Sequence, residues 1–232
     1  MRVDDLPEIR QLSLFKSMSE ASFADLMNAA YLQNFPAQVD LLNEGDNADF
    51  LFFVVEGCVE LYANANGREG VLALVRPVGS FILAAILEDS VYLMSARTSE
   101  KSRILMIPAQ NVRDAFESDD RFARSIVLEL SGYFRAVVKE YKDLRLRTGV
   151  ERLANRLLKY HQAQGAPGFV ELPCDKKILA SILGMTPENL SRAFGTLKPY
   201  GVDVVGKKVV LGDLKSLSVL AKPNPLIDDP ST

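Results

Sequence analysis

Between residues 39 and 107, short runs of β-forming residues alternate with turn residues. The pattern predicts strands at residues 50–55, 58–62, 71–76 and 103–107. Asn66-Gly67 separates two such runs and predicts a hairpin, because both residues tolerate positive φ. Short strands separated by glycine turns are typical of a sandwich or a small rolled barrel.

The segments on both sides of this β region have apolar residues at helical spacing. Residues 8–31 predict short amphipathic helices, and a long helix is predicted over residues 119–147. Its seam positions step alternately by three and four residues: Ala123, Ile126, Leu130, Tyr133, Val137, Glu140 and Leu144. A heptad seam favours a parallel two-fold dimer, and the alternative is that the stripe packs on the chain's own β domain. Thr148-Gly149 breaks the pattern and predicts a hinge.

A helix-turn-helix is predicted after this hinge. Residues 150–161 and 175–183 have helical spacing, and Gly184 lies in a tight turn after the second helix. Thr186 then fits an N-cap, with Pro187 at the first helical position. The apolar positions of the following helix, spaced i, i+3, i+4 and i+7, are Leu190, Ala193, Phe194 and Leu197.

The C-terminal part contains a wing and a tail. Residues 202–205 and 209–211 flank Gly206-Lys207-Lys208, which predicts a β-hairpin with a basic tip. The proline-rich tail is expected to be unstructured. The whole predicts an α+β chain: a β domain at 1–118, a dimerisation helix at 119–147, a winged helix-turn-helix at 148–220 and a flexible tail at 221–232.

Composition narrows the class of protein. The 232 residues are 48% hydrophobic and 25% charged, as in soluble globular proteins. The longest uncharged apolar run, residues 81–87, is shorter than the ~20 residues of a membrane span, and the start has acids where a signal peptide needs a basic patch. Cys58 and Cys174 cannot supply a disulfide framework or a cysteine-ligated iron–sulfur cluster. We therefore expect a cytoplasmic protein with no membrane partner.

The charge is distributed unevenly. Residues 145–213 contain eleven Lys/Arg and six Asp/Glu, a net +5, so the remainder of this chain of net charge −3 carries −8. A basic segment on an acidic body indicates a polyanionic partner for that segment, and the alternative is chance clustering on a solvated face.

Burial of the apolar face predicts which side chains of the second helix face outward. Arg192 can give two parallel hydrogen bonds to guanine, while Glu188 can accept from cytosine and orient Arg192. The alternative is a solvent-exposed face with an i,i+4 ion pair. The candidate DNA contacts, including basic residues of the wing and its neighbourhood, are Thr186, Glu188, Asn189, Ser191, Arg192, Lys198, Lys207 and Lys208.

An enzyme is disfavoured. No histidine precedes His161, and the chain has neither a glycine-rich phosphate loop nor a carboxylate pair next to a nucleophile. We assign no catalytic residue and no metal site. His161 is the one strong haem ligand by residue type, and the alternative is a structural or surface histidine.

The chain resembles the CRP/FNR family of bacterial transcription regulators along nearly its whole length. The glycines Gly45, Gly57 and Gly79 fit a β-roll of the cyclic-nucleotide-binding type, and the stretch Gly184-Met185-Thr186-Pro187-Glu188-Asn189-Leu190-Ser191-Arg192 fits the family's helix-turn-helix. The resemblance implies a homodimer that binds double-stranded DNA and acts with RNA polymerase. Pro187 stands where the CRP branch has an arginine, so the resemblance implies an FNR-type inverted repeat with the half-site TTGAT.

The residues at the effector-binding positions differ from those that bind cyclic AMP in that family. Ala84 stands where a glutamate would hold the ribose, and Ser90 and Val91 stand where an Arg-Ser pair would hold the phosphate. No Lys or Arg lies between Ile82 and Ala96, so a bound phosphate would lack a counter-charge, and we expect no cyclic AMP binding.

An apolar effector pocket is expected instead, with core packing as the alternative. Its residues are Phe81, Ile82, Leu83, Ala84, Ile86, Leu87, Tyr92, Leu93 and Met94. This pattern is similar to the nitrogen-oxide-responsive NnrR/DNR branch, which makes nitric oxide a candidate effector and haem a candidate cofactor. The alternatives are another small apolar ligand, no ligand, or a cyclic-nucleotide-binding-like module acting on a protein partner.

Overall fold

The computed structural model describes residues 3–230, apart from the side chain of Val3. The chain divides into two compact units, one ending at Tyr133 and the other beginning at Phe134. Each unit has its own hydrophobic core. The division falls inside the long helix, whereas the predicted boundaries at 118/119 and 147/148 lie at its two ends.

The first unit opens with short helices. A 3-10 turn (Val3–Asp5) leads into α1 (Leu6–Arg10), and α2 (Glu20–Ala29) follows. Ser19 caps α2, because its hydroxyl accepts a hydrogen bond from the N–H of Ser22 at 3.1 Å. The short helices predicted for residues 8–31 are therefore present.

Two antiparallel four-stranded sheets form the body of this unit, with strand orders β1-β8-β3-β6 and β2-β7-β4-β5. The strands are β1 (Tyr31–Phe35), β2 (Asp40–Leu42), β3 (Phe50–Glu56), β4 (Val59–Ala65), β5 (Arg68–Val75), β6 (Gly79–Phe81), β7 (Ser95–Thr98) and β8 (Ser102–Pro108), with α3 (Leu83–Leu87) between β6 and β7. The predicted β-sandwich is confirmed. The predicted hairpin turn is also present, with positive φ at Asn66 and Gly67.

The core of the sandwich is aromatic. The ring of Phe15 lies 5.0 Å from that of Phe53 and 6.2 Å from that of Phe122, measured between centroids. Because Phe122 belongs to the long helix, this cluster joins the start of that helix to the β unit.

Two helices follow the sandwich, α4 (Ala109–Ser118) and the 27-residue α5 (Asp120–Leu146). Asp119 precedes α5, and its carboxylate accepts hydrogen bonds from the N–H groups of Ser19, Arg121 and Phe122. Burial alone would raise the pKa of Asp119, but these hydrogen bonds outweigh burial and lower it to about 2.

The second unit contains the predicted winged helix. Its helices are α6 (Gly149–Ala163), α7 (Lys176–Ile182), α8 (Pro187–Leu197), α9 (Leu214–Ala221) and α10 (Pro225–Asp228), and its strands are β9 (Phe169–Glu171), β10 (Val202–Val205) and β11 (Lys208–Leu211). The strands pair in the order β10-β11-β9. The sequence pattern missed β9.

Within the described residues, no helix combines the length and apolar character that crossing a bilayer requires.

The predicted seam of α5 needs correction. Ile126 is 0% exposed in the core of the first unit, and the hydroxyl of Tyr133 lies 2.7 Å from Ser80 Oγ on β6. Glu140 pairs instead with Arg156 of α6 at 3.1 Å. Spacing identified apolar positions on α5, but it did not distinguish those that pack on the chain's own β unit from those left exposed.

The exposed apolar side chains of α5 lie partly on a neighbouring stripe. Val127, Phe134 and Tyr141 are exposed, and so are Val137 and Leu144, which belonged to the predicted seam. Ala123 and Leu130 of the predicted seam are half-buried.

The structure also corrects the prediction of a flexible tail. Residues 225–228 form α10, Ile227 is buried, and Asp228 forms an ion pair with Arg147. The tail is held by an ion pair with a residue far away in the sequence, which the proline content of the tail does not reveal. Ser231 and Thr232 of this predicted tail lie outside the described residues.

Gly57 should be the more costly of two glycines to replace. Gly57 and Gly45 both have φ +89°, but a Cβ on Gly57 would lie 2.6 Å from the backbone oxygen of Lys101 and would also meet Ser102, whereas nothing lies within 4 Å of a Cβ on Gly45. We expect Gly45→Ala to cost about 1 kcal/mol through backbone strain alone. Gly57→Ala should cost about 1–3 kcal/mol more, because backbone must move. Denaturant unfolding of both variants measures the difference, and equal losses would contradict the steric argument.

Candidate nucleic-acid interface

The helix-turn-helix is built by α7, a glycine turn and α8. Gly184 adopts φ +61° in the turn, and a Cβ there would lie 2.8 Å from Leu144 Cδ2. Thr186 caps α8, since its hydroxyl accepts a hydrogen bond from the N–H of Asn189 at 3.3 Å. Pro187 occupies the first turn, where its missing N–H costs nothing. The predicted cap and turn are both confirmed.

One face of α8 is buried and the other is exposed. The buried residues are the four predicted ones, Leu190, Ala193, Phe194 and Leu197. They pack in one cluster with Leu153 and Leu157 of α6. The side chains that this packing leaves exposed are Glu188, Asn189, Ser191 and Arg192.

Arg192 and Glu188 use different partners from those expected. The guanidinium of Arg192 donates to Asn189 Oδ1 at 2.7 Å, so Asn189, rather than Glu188, orients it. The pKa of Glu188 is lowered, first by a hydrogen bond from the Thr186 hydroxyl, and the charge of Arg192 contributes less. The i,i+3 spacing was the sequence signal for the Asn189–Arg192 contact, and it was overlooked in favour of the i,i+4 pair.

The wing carries exposed lysines. Lys207 follows the turn at Gly206, and its ammonium lies 3.3 Å from the carboxylate of Asp175. Lys208 begins β11, and its ammonium lies 4.9 Å from the ring centroid of Phe169 on β9. Lys198, in the 3-10 turn after α8, is exposed as well. All these lysines therefore remain accessible to a polyanion.

The residues of the predicted effector pocket differ in their burial. Phe81, Leu83 and Tyr92 are buried in the core of the first unit, and Met94 packs against that core. Leu93 is 77% exposed. Most side chains of the apolar stripe therefore contribute to the core of the first unit.

The remaining candidates for ligand chemistry are buried. Cys58 is buried in the first unit, and burial raises the pKa of its thiol. His161 is buried in the second unit, and its Nε2 has no hydrogen-bond partner among the described residues. Over residues 3–230, no group of three or more His, Cys, Asp or Glu side chains is arranged to hold a metal ion.

Two domain families match the chain. Residues 32–119 match the cyclic nucleotide-binding domain, and residues 151–220 match the Crp-like helix-turn-helix domain. The chain belongs to the CRP/FNR family. Members of the CRP/FNR family are DNA-binding transcription regulators, and the exposed face of α8 lies within the matched helix-turn-helix.

Solved structures of CRP/FNR type are similar over most of the chain. A candidate cAMP-binding regulatory protein from Silicibacter pomeroyi DSS-3 is 28% identical, with 90% of this chain and 94% of that chain covered and a TM-score of 0.59. FixK2 from Bradyrhizobium japonicum is 22% identical, with 84% and 98% covered and a TM-score of 0.71. CLP from Xanthomonas campestris, described as c-di-GMP responsive, is 20% identical, with 83% and 99% covered and a TM-score of 0.71. The last two likenesses concern the fold alone, and no curated protein matches the chain.

Proposed function

We propose that this regulator binds, as a homodimer, an inverted repeat with the half-site TTGAT, and that α8 reads the bases. The observation that carries the proposal is the capped helix whose buried face directs Glu188, Ser191 and Arg192 outward. These are the side chains at the start of the helix, the part of a recognition helix that contacts base edges in the major groove.

Each exposed side chain has a matching base or phosphate. Arg192 can donate two parallel hydrogen bonds to guanine O6 and N7, and Glu188 can accept from the amino group of cytosine. Ser191 can contact a base or a phosphate. A guanidinium has five donors, so the bond to Asn189 leaves enough of them for guanine and restricts the rotamers that would otherwise be lost on binding.

The dimer contact is proposed for the exposed stripe of α5. Val127, Leu130, Phe134, Val137 and Tyr141 step by three, four, three and four residues, and Leu144 continues the series. This is the spacing of a two-helix seam, and four of the first five side chains are exposed in the single chain. A seam shifted away from Ile126 fits the burial of Ile126 in its own unit.

The effector is proposed to be a ligand other than cyclic AMP. Ala84, Ser90 and Val91 are exposed and offer neither a carboxylate for a ribose nor a cation for a phosphate. Neither a histidine nor an exposed cysteine is available for haem among the described residues of the first unit, because Cys58 is buried and His161 belongs to the second unit. Nitric oxide sensing through haem would therefore require a ligand of another kind, which the visible absorption spectrum of the protein with added haem tests.

Arg192 should carry sequence specificity. A bidentate arginine–guanine contact contributes about 1–3 kcal/mol of discrimination, and two subunits double it. Arg192→Ala should therefore weaken binding to a TTGAT inverted repeat by roughly 2–6 kcal/mol, while non-specific binding changes little. Binding-site selection on randomised duplexes, for the parent and the variant, measures this.

Lys207→Ala is the matched control for Arg192→Ala, since it also removes one exposed cation. It should weaken binding to all sequences alike and reduce the salt dependence of binding, because phosphate contacts release counterions. The proposal is wrong if the parent selects no two-fold-symmetric site, or if Arg192→Ala selects the same site with equal stringency. A parent protein that is not retained on heparin and gives no salt-dependent gel shift with DNA would instead favour a module acting on a protein partner.

Phe134→Glu should separate the dimer. A charge at a 71% exposed position of the proposed seam would be buried against the partner helix, which should cost several kcal/mol. Leu128→Glu is the control: this side chain is 65% exposed on the same helix but lies about 120° around it from Phe134. Light scattering should give a monomer for Phe134→Glu and a dimer for Leu128→Glu. The opposite pattern, or the same mass for both variants, would place the seam elsewhere.

Cyclic AMP should not bind. Calorimetric titration of protein that is competent for DNA binding should show no saturable heat at nucleotide concentrations up to about 1 mM, the range of a −4 kcal/mol interaction. Micromolar affinity would overturn the argument from Ala84, Ser90 and Val91.

A further inference from the structure

Residues 222–230, which we call the C-terminal strap, are packed against the second unit. Asn224 caps α10, since its side-chain oxygen accepts a hydrogen bond from the N–H of Leu226 at 2.9 Å. Ile227 is buried. The strap is therefore an ordered element, although it is short and contains three prolines.

Asp228 joins the strap to the end of α5. Its carboxylate accepts two hydrogen bonds from the guanidinium of Arg147, at 2.9 and 2.5 Å. Arg147 also pairs with the buried Asp143 at 2.7 Å, and Lys159 of α6 lies 3.2 Å from Asp228. One carboxylate thus bridges Arg147, just past the end of α5, and Lys159 of α6.

The strap makes further contacts with α5 and α6. Lys139 of α5 donates to the backbone oxygen of Asp229 at 2.8 Å. Lys222 lies 3.1 Å from Glu151, the residue that completes the capping box of α6 with Thr148. The strap therefore has ties to α5, to the start of α6 and to its middle.

The charges of the cluster are complementary. Burial alone would raise the pKa of Asp228, but the hydrogen bonds from Arg147 and the backbone of Asn224, with the charge of Lys159, lower it to about 2. Asp228 is consequently ionised at neutral pH and holds Arg147 in a bidentate pair, the geometry that best restricts a guanidinium.

The ties surround the junction of the two helices. Arg147 lies just past the end of α5, and Thr148 has extended backbone angles, φ −67° and ψ 160°, before α6 begins. A single non-helical link of this kind sets the angle between two rigid helices. Arg152 and Arg156 also cross the junction, through hydrogen bonds to the backbone oxygen of Arg147 and to Glu140.

We propose that the C-terminal strap is a positioning element for DNA reading: by bridging α5 and α6 through Asp228, it fixes the direction in which α5 presents α8. The inference rests on the proposed function, because a dimer must place two recognition helices at a set separation along the DNA. A loosened junction should therefore tolerate half-sites at several separations.

The experiment compares Asp228→Asn, Lys139→Met and the control Asp25→Asn in the full chain. Asp228→Asn removes the charge with little change in volume, and Lys139→Met removes a separate tie without leaving a buried charge. Asp25→Asn also removes one carboxylate, at an exposed position of α2 in the first unit. All three variants are assayed with and without DNA.

The first readout needs no DNA. Trypsin cleavage after Arg147, followed by mass spectrometry of the fragments, reports opening of the junction. Asp228→Asn should speed this cleavage about tenfold, equivalent to ~1.4 kcal/mol of closure, with a smaller rise for Lys139→Met and none for Asp25→Asn. Unchanged cleavage in both strap variants would show that the strap does not hold the junction.

The second readout uses inverted repeats whose half-site separation is varied by one base pair in each direction. The parent should prefer one separation, and Asp228→Asn should reduce that preference about tenfold while still binding single half-sites as the parent does. Equal loss at every separation would indicate a merely structural role and overturn the inference, as would an undiminished preference. A parent that binds no inverted repeat refutes the proposed function, and the trypsin readout then decides by itself whether the strap holds the junction.

Discussion

Burial of one face of α8 governs what the DNA-binding unit can present to a ligand. Leu190 and Leu197 are almost inaccessible to solvent in the cluster built on α6. Since a helix turns ~100° per residue, this packing leaves Glu188 and Arg192 one outward direction. Turning the helix by one position would expose apolar surface and bury a guanidinium without a partner, which is strongly unfavourable. The cap at Thr186 sets where the helix begins, but the apolar face sets its rotation.

The long helix α5 has to satisfy two surfaces at once. Phe122 and Ile126 complete the core of the first unit, and Tyr133 hydrogen-bonds to Ser80 on β6. The apolar residues left over form a second stripe that includes Phe134 and Tyr141. A single stripe could serve either the chain's own core or a partner helix. Two stripes let α5 complete the core of the first unit and also present the proposed dimer seam.

The first unit matches the cyclic nucleotide-binding domain family, but its residues do not identify the effector. The apolar segment that begins at the end of β6 is used mainly for core packing, and the ring of Phe81 is stacked 5.2 Å from that of Phe52. The positions that hold a ribose and a phosphate in the cyclic-AMP pattern are exposed here and uncharged.

The sequence alone predicted a β domain, either a sandwich or a small rolled barrel, and it determined the helix-turn-helix, the cap at Thr186 and the outward face of α8. The last three depend on spacing between near neighbours. Two features were decided only by tertiary structure: the stripe of α5 that packs on its own unit, and the order of the tail. Asp228 pairs with Arg147 across 81 residues of chain. Contacts of this kind depend on how distant segments pack and on which rotamers that packing allows, and periodicity along the chain contains no information about either.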